Sequence, residues 1–337
     1  MTAVATRLVK VVVWDLDGTL WPGVALESDG LPAPYPAALA ALDTLAARGI
    51  LVSVASRNPA ELGELVERSA LAGRFVAAQY GWGRKVDALR RIAAELDVRL
   101  DALAFVDDDP MERADVERTL PEVTVLAPDD VADALSWPEF DPGPVTDAAR
   151  SRLDGYRQRE RRRAARSAFD GSEEDFLRWC GLRATLRRAA AGDGDRLVEL
   201  ARRTTQYNST GVEYLGGEGV VLSLADRFGD DGLVGLAAVS TPDGPEWTVD
   251  LVAVSCRAGG RGAVPVLLTG VARLARSRAA RRLLVPCRLT ERNVPVRLGL
   301  KQAGFAAAGR TGDVAVYALD LTGAPAYPGW ITVTERL

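Results

Sequence analysis

VVVWDLDGTLW, residues 11–21, decides how the first half of this chain folds. Four apolar residues in a row, Val11 to Trp14, leave no polar face, which is the pattern of a strand buried on both sides in a parallel sheet. Asp15 and Asp17 follow where that strand runs out into a Gly-Thr turn. Open α/β sheets bind ligands at this carboxyl edge. Two carboxylates two residues apart point the same way on an extended chain. One can attack an electrophile while the other moves a proton. Taken alone, the pair reads equally well as a solvated acidic turn.

Outward from this stretch, short apolar runs alternate with helical patterns: AALAALDTLAARG (37–49), ILVSVAS (50–56), RKVDALRRIAAELD (84–97), ALAFVDD (102–108) and VTVLAP (123–128). Strands alternating with helices predict a parallel sheet covered on both faces over residues 1–136. Ser56 closes the second apolar run, Lys85 opens a helix, and Asp107, Asp108 and Asp109 close the third run. A hydroxyl, a lysine and a second carboxylate cluster suit a phosphoryl group and Mg²⁺, a cation that takes oxygen ligands. Asp109, before Pro110, suits any turn.

In these four ordered pieces the sequence resembles the haloacid-dehalogenase (HAD) superfamily of phosphatases. The resemblance implies a Rossmann-like domain with Asp15 as nucleophile and Asp17 as general acid/base. It implies Ser56, Arg57, Asn58 and Lys85 around the phosphate, and a Mg²⁺ held by Asp15, Asp17, Asp107 and Asp108. The segments after Asp17 and between Ser56 and Lys85 are too short to hold a folded cap. The site is therefore expected to be covered by the second domain or by a partner.

The chain has 337 residues, long for one core and comfortable for two. Its 47% hydrophobic and 26% charged residues are those of an ordinary globular protein. Histidine is absent, so Ser-His and Cys-His pairs are excluded and chemistry rests on carboxylates, Lys, Arg, Ser, Thr or Cys. Cys180, Cys256 and Cys287 lack metal-ligand spacing and number three, so neither a zinc site nor a disulfide framework is expected. A net charge of −4 gives no reason to expect nucleic acid. With neither a membrane-length apolar run nor a leader pattern, a cytoplasmic protein that does not engage membranes is expected.

WPEFDPGPVTDA (137–148) interrupts the pattern as a linker would, and a basic helical segment follows it. Residues 137–180 are thus expected to connect the first domain to a second, over 181–337. There the order changes to a strand (182–189), a helix (193–204), three strand-like runs (219–255), a glycine-rich turn, a helix (264–277), a strand (282–287), a helix (292–304) and a final strand, VAVYAL (314–319). This order resembles that of a GNAT-type acyltransferase, a mixed α/β domain. In SCRAGGRGAVPVLL (255–268), Gly259, Gly260, Arg261 and Gly262, with Arg257 beside them, would cradle a phosphate at a helix N-terminus. That phosphate can belong to coenzyme A or to a carrier's phosphopantetheine. Cys256 precedes the turn, where its thiolate could accept an acyl group, or it could be a small buried hydrophobe.

The clusters RRTTQYNSTG (202–211), LTERNVPV (289–296), DRFGDDGLVG (226–235) and GWGRK (81–85) extend the likeness. Over nearly the whole length the chain resembles the FkbH-like family, which joins a HAD phosphatase to a GNAT-like acyltransferase. A second Thr in TTQYN, where that family has Asn, is a departure. The resemblance implies that the phosphoglyceryl group of 1,3-bisphosphoglycerate moves to Cys256, loses its phosphate at the HAD site and is loaded on an acyl carrier protein. Thr205, Gln206, Asn208 and Asn293 would contact the acyl group. The basic run RQRERRR (157–163) reads either as a dock for an acidic carrier or as a solvated helix face.

Overall fold

The structure is a computed structural model that describes residues 8–28, 30–143, 152–212, 214, 216–240, 244–323 and 325–337. It divides into two compact units, Met1–Arg157 and Gln158–Leu337. The division falls inside a helix, within the 137–180 segment expected to connect the two domains. The central part of the expected linker, residues 144–151, lies outside the described residues.

The first unit is built on a parallel sheet of β1 (Val11–Trp14), β2 (Leu51–Ser56), β3 (Gln79–Tyr80), β4 (Leu103–Val106) and β5 (Thr124–Leu126), in the order β3-β2-β1-β4-β5. Val12 and Trp14 face one apolar core with Leu42 and Leu45 of α1 (Pro36–Ala47). Val11 and Val13 face another with Leu89 and Ile92 of α3 (Lys85–Leu96). Both faces being covered is why β1 carries no polar residue; burying each of these side chains contributes roughly 1.5–3 kcal/mol. The helices α2 (Ala60–Glu67), α4 (Pro110–Thr119) and α5 (Val131–Ala134) complete the cover. Val11 pairs with Leu51 and Leu103, and Trp14 with Val54 and Val106. This register brings Asp15, Ser56 and Asp107 to one edge of the sheet.

The helices α6 (Arg152–Ala168) and α7 (Glu173–Cys180) precede the second sheet. That sheet contains β6 (Arg183–Arg188), β7 (Gly219–Asp226), β8 (Gly229–Val239), β9 (Glu246–Val254), β10 (Arg282–Arg288), β11 (Ala306–Thr311), β12 (Val314–Asp320) and β13 (Thr332–Arg336). The order is β11-β12-β10-β9-β8-β7-β6-β13, with β9/β10 and β6/β13 parallel and the other pairs antiparallel. Alternate residues of β7 serve opposite faces. Val220, Leu222 and Leu224 pack toward α9 (Ala263–Ser277), and Val221 packs toward α8 (Gly194–Arg203). The expected fold class, a parallel-sheet α/β domain followed by a mixed α/β domain, is the one observed.

VAVYAL is not the last strand. β11 precedes it as its hairpin partner, and β13 returns along the far edge beside β6. No described helix is long and apolar enough to cross a membrane.

Candidate active sites

At the carboxyl edge of the first sheet, Lys85 opens α3 with its side chain buried. Its Nζ donates to Asp15 Oδ1 and, at 2.6 Å, to the Ala55 carbonyl, and it lies 3.3 Å from Asp107 Oδ2. A buried ammonium surrounded by two carboxylates and a carbonyl is fixed in place and compensated. Burial pushes the Asp15 carboxyl up to about 6 against the pull of Lys85, with the charge of Asp107 adding to the rise. Burial raises Asp107 as well, although Lys85 opposes it.

Asp17 is held differently. Its Oδ1 accepts from Trp21 Nε1 at 2.8 Å and from the Ala25 N–H at 2.9 Å. Its Oδ2 accepts from Asn58 Nδ2 at 2.8 Å. The same amide nitrogen donates to Ser56 Oγ at 3.0 Å, so a buried Asn58 ties the hydroxyl of one motif to the carboxylate of another. Arg57 is half exposed and pairs with Glu112 at 2.6 Å.

Asp15, Asp107 and Asp108 each offer an oxygen, all lying within 4.8 Å of one another. Asp107 Oδ2 is buried and makes no hydrogen bond. An oxygen-only donor set fits Mg²⁺, and Asp107 Oδ2 within it has no described partner besides the Lys85 ammonium 3.3 Å away. Asp17, counted among the ligands from the sequence, is not one of this trio; its carboxylate oxygens accept from Trp21, Ala25 and Asn58. Asp108 is set by Thr19, whose hydroxyl donates to Oδ1 at 3.0 Å and accepts from the Asp108 N–H at 2.9 Å. Gly18 stands at φ +72°, and a Cβ there would collide with the Asp108 carboxylate. Asp109 caps α4 by accepting from the Met111 N–H.

In the second unit, a cleft of about 610 Å³ opens at the N-terminus of α9. Gly259, Gly260, Gly262 and Ala263 form one wall, and Tyr207, Leu298 and Trp330 lie among the others. Gly260 and Gly262 have φ of +77° and +74°, conformations that favour glycine. A Cβ on Gly259 would meet the Tyr207 hydroxyl at 2.5 Å. Cys256 is partly buried in the turn that leaves β9, between Val254 and Ala258, which both line the cleft.

β9 and β10 pair only at Arg282–Leu284 with Glu246–Thr248. Beyond that the TQYNST segment lies between them. The Ser209 N–H donates to the Val252 carbonyl, the Val254 N–H to the Tyr207 carbonyl, and the Arg288 N–H to the Ser209 carbonyl. Thr205 is exposed and Gln206 half-buried beside this wedge.

Three residues expected to bind ligand have partners within the fold. Asn208 is buried, donating to the Ala201 carbonyl at 3.2 Å and accepting from the Thr210 and Gly211 N–H groups. Asn293 is buried, donating to the Arg288 carbonyl at 2.6 Å and accepting from the Thr290 N–H at 3.2 Å. Arg261 is turned inward, 2.7 Å from Asp231 and 3.4 Å from Asp226. The carboxylates that bind it come from the DRFGDD hairpin, which explains that cluster. Arg162 of the basic helix joins them, its Nε 2.7 Å from Asp226 Oδ2. The basic run is thus neither wholly a dock nor wholly solvated. Cys180 and Cys287 are buried; desolvation pushes the Cys287 thiol up to about 11 and raises Cys180 too.

No protein-family model matches the sequence, and no curated protein matches it. Solved structures do. Over 38% of its length the chain is similar, at 27% identity and TM-score 0.35, to the N-terminal part of BF1531 from Bacteroides fragilis, which contains a phosphatase domain complexed with Mg; it covers 39% of that chain. Over 42% of its length it is similar to the ribosomal-protein-S18-alanine N-acetyltransferase of Escherichia coli, at 15% identity and TM-score 0.33, covering 96% of that chain. Over 40% it is similar to the GNAT domain of S. lividans PAT, at 18% identity and TM-score 0.32, covering 89% of it.

Proposed function

We propose that the chain is a bifunctional (phospho)glyceryl transferase and phosphatase that loads an acyl carrier protein. The observation that carries the reading is the pairing, on one chain, of a buried Asp15–Lys85–Asp107 constellation with a glycine-walled cleft whose lining residues flank a cysteine. Asp15 attacks phosphorus as the alkoxide leaves, Lys85 favours its ionised form against the effect of burial and holds it in place, and water then cleaves the aspartyl-phosphate to release inorganic phosphate and regenerate Asp15. Asp17, oriented by Trp21 and Asn58, protonates the leaving oxygen. Asp15, Asp107 and Asp108 would hold Mg²⁺, which supplies neutralisation of phosphate charge. Arg57 and Asn58 frame the phosphate side together with Ser56.

At the second site Cys256 accepts the acyl group from an acyl phosphate such as 1,3-bisphosphoglycerate. The carbon–sulfur bond forms as inorganic phosphate leaves, so no nucleotide is needed. Transfer to the pantetheine thiol of the carrier regenerates Cys256. Intact mass spectrometry of enzyme and carrier after incubation with 1,3-bisphosphoglycerate and Mg²⁺ tests the reading. A glyceryl adduct on the carrier that is lost in Cys256→Ala is the expected result; unchanged loading by that variant refutes the assigned nucleophile.

A second reading treats this unit as a binding module for carrier-bound or coenzyme A-bound phosphoesters. It is favoured by the engagement of Asn208, Asn293 and Arg261 within the fold, which leaves fewer side chains to hold an acyl group. Under it, Cys256→Ala leaves dephosphorylation of a carrier-bound phosphoester intact and no acyl-enzyme mass appears in the wild type.

A further inference from the structure

The cleft beside Cys256 has an electrostatic character that the glycine turn alone does not reveal. Among the described residues that line it there is no lysine or arginine, and its charged side chains are Glu173 and Glu174 from the first turn of α7. Of the two arginines at the turn, Arg261 is directed into the protein and held by Asp226 and Asp231, and Arg257 is not among the residues that line the cleft. Arg166 pairs with Glu173 at 2.8 Å and offsets part of its charge. Backbone N–H groups at the start of α9 can receive one phosphate. Glu173 and Glu174 line the same cleft as that turn.

Coenzyme A carries about four negative charges on its pyrophosphate and ribose phosphate, against about one on a serine-linked phosphopantetheine diester. Each added charge near Glu173 and Glu174 is repelled, and at the intermediate dielectric of a cleft rim the cost grows with their number. We propose that Glu173 and Glu174 are specificity residues that admit a pantetheine arm joined through a single phosphodiester and hold off coenzyme A. This rests on the reading of the cleft as the acceptor site. It accounts for a glycine-walled cleft whose charged side chains, among the described lining residues, are both carboxylates.

Titration calorimetry on the full chain tests it with three probes: coenzyme A, dephospho-coenzyme A and the methyl diester of 4′-phosphopantetheine. Wild type should bind the diester about tenfold or more tightly than coenzyme A, with dephospho-coenzyme A between. Glu173→Gln/Glu174→Gln should bring that ratio to about two by tightening coenzyme A, while the diester changes less than about twofold. The Ser172 side chain, which caps α7, is untouched by these changes. Should the double variant fold poorly, Glu174→Lys must tighten coenzyme A in the same direction. Equal wild-type affinities, or a ratio unmoved by these variants, overturn the proposal while carrier loading stands. If none of the probes binds, the acceptor-site reading falls and takes the proposal with it.

Discussion

Asp15 concentrates the physics of the first site in one side chain. Burial is the largest influence on its carboxyl, Lys85 pulls the other way, and the outcome is a value of about 6 against an ordinary 3.8. The folded protein therefore keeps a proton on Asp15 that the unfolded chain has already released. Its contribution to stability is greatest below the ordinary value and is lost as pH rises through about 6. A shift of this size corresponds to about 2–3 kcal/mol. Asp226 is shifted downward, so its contribution runs the other way and is lost as pH falls. Asp15→Asn removes the titration of Asp15 and its coupling to Lys85 and Asp107. In urea titrations of metal-free protein, wild type should lose about 2–3 kcal/mol relative to Asp15→Asn between pH 4 and pH 7. Parallel pH profiles for the two proteins would remove this account of the site. The same variant should have no phosphatase activity at either pH, since an amide is no nucleophile.

At the scale of elements, the sequence was legible where a pattern repeats locally and opaque where partners lie far apart. β1, β2 and β4 announced themselves as apolar runs ending in Asp15, Ser56 and Asp107, because each is buried on both faces. β3 spans only Gln79–Tyr80, too short for any periodicity, and β11 is exposed along its whole length, so no alternation marks it. Arg261 illustrates the second limit. In RAGGRGA it has the look of a phosphate ligand, yet its carboxylate partners lie 30 and 35 residues away on the β7–β8 hairpin. Asn208 and Asn293 look like ligand contacts for a similar reason, and Asn293 donates to the Asn208 carbonyl at 3.4 Å across 85 residues. Arg162 gives this argument a measurable form. It is buried against Asp226, whose side chain is fully enclosed, so Arg162→Met leaves two buried carboxylates facing Arg261 alone. Losing one partner of a buried ion pair costs about 3–5 kcal/mol. Arg161→Met, one residue away on the exposed side of α6, should change stability by less than about 0.5 kcal/mol. Denaturation curves that shift equally for both variants would show that the buried network does not stabilise the unit.

For the whole molecule, the consequence of having two units is that ligand effects should be local. One unit folds around the cores that hold Val12, Trp14, Val11 and Val13, and the other around those that hold Leu222, Leu267 and Leu236. Each has its own sheet, among the described residues no strand is shared between the sheets, and α6 is the helix that crosses the division. Separate cores of this kind unfold as separate cooperative steps. Among the described residues, the carboxylate trio suited to Mg²⁺ belongs to the first unit. A cation that binds only the folded first unit stabilises it by mass action, about 2.7 kcal/mol at a hundred times its dissociation constant. Scanning calorimetry should therefore resolve two transitions, and Mg²⁺ should raise the midpoint of one by about 3 °C or more while leaving the other in place. Asp108→Asn keeps the shape of the side chain and removes its charge, so it should abolish most of the Mg²⁺ shift. A single transition, or a shift that survives Asp108→Asn, would mean that the metal trio or the independence of the units is misassigned.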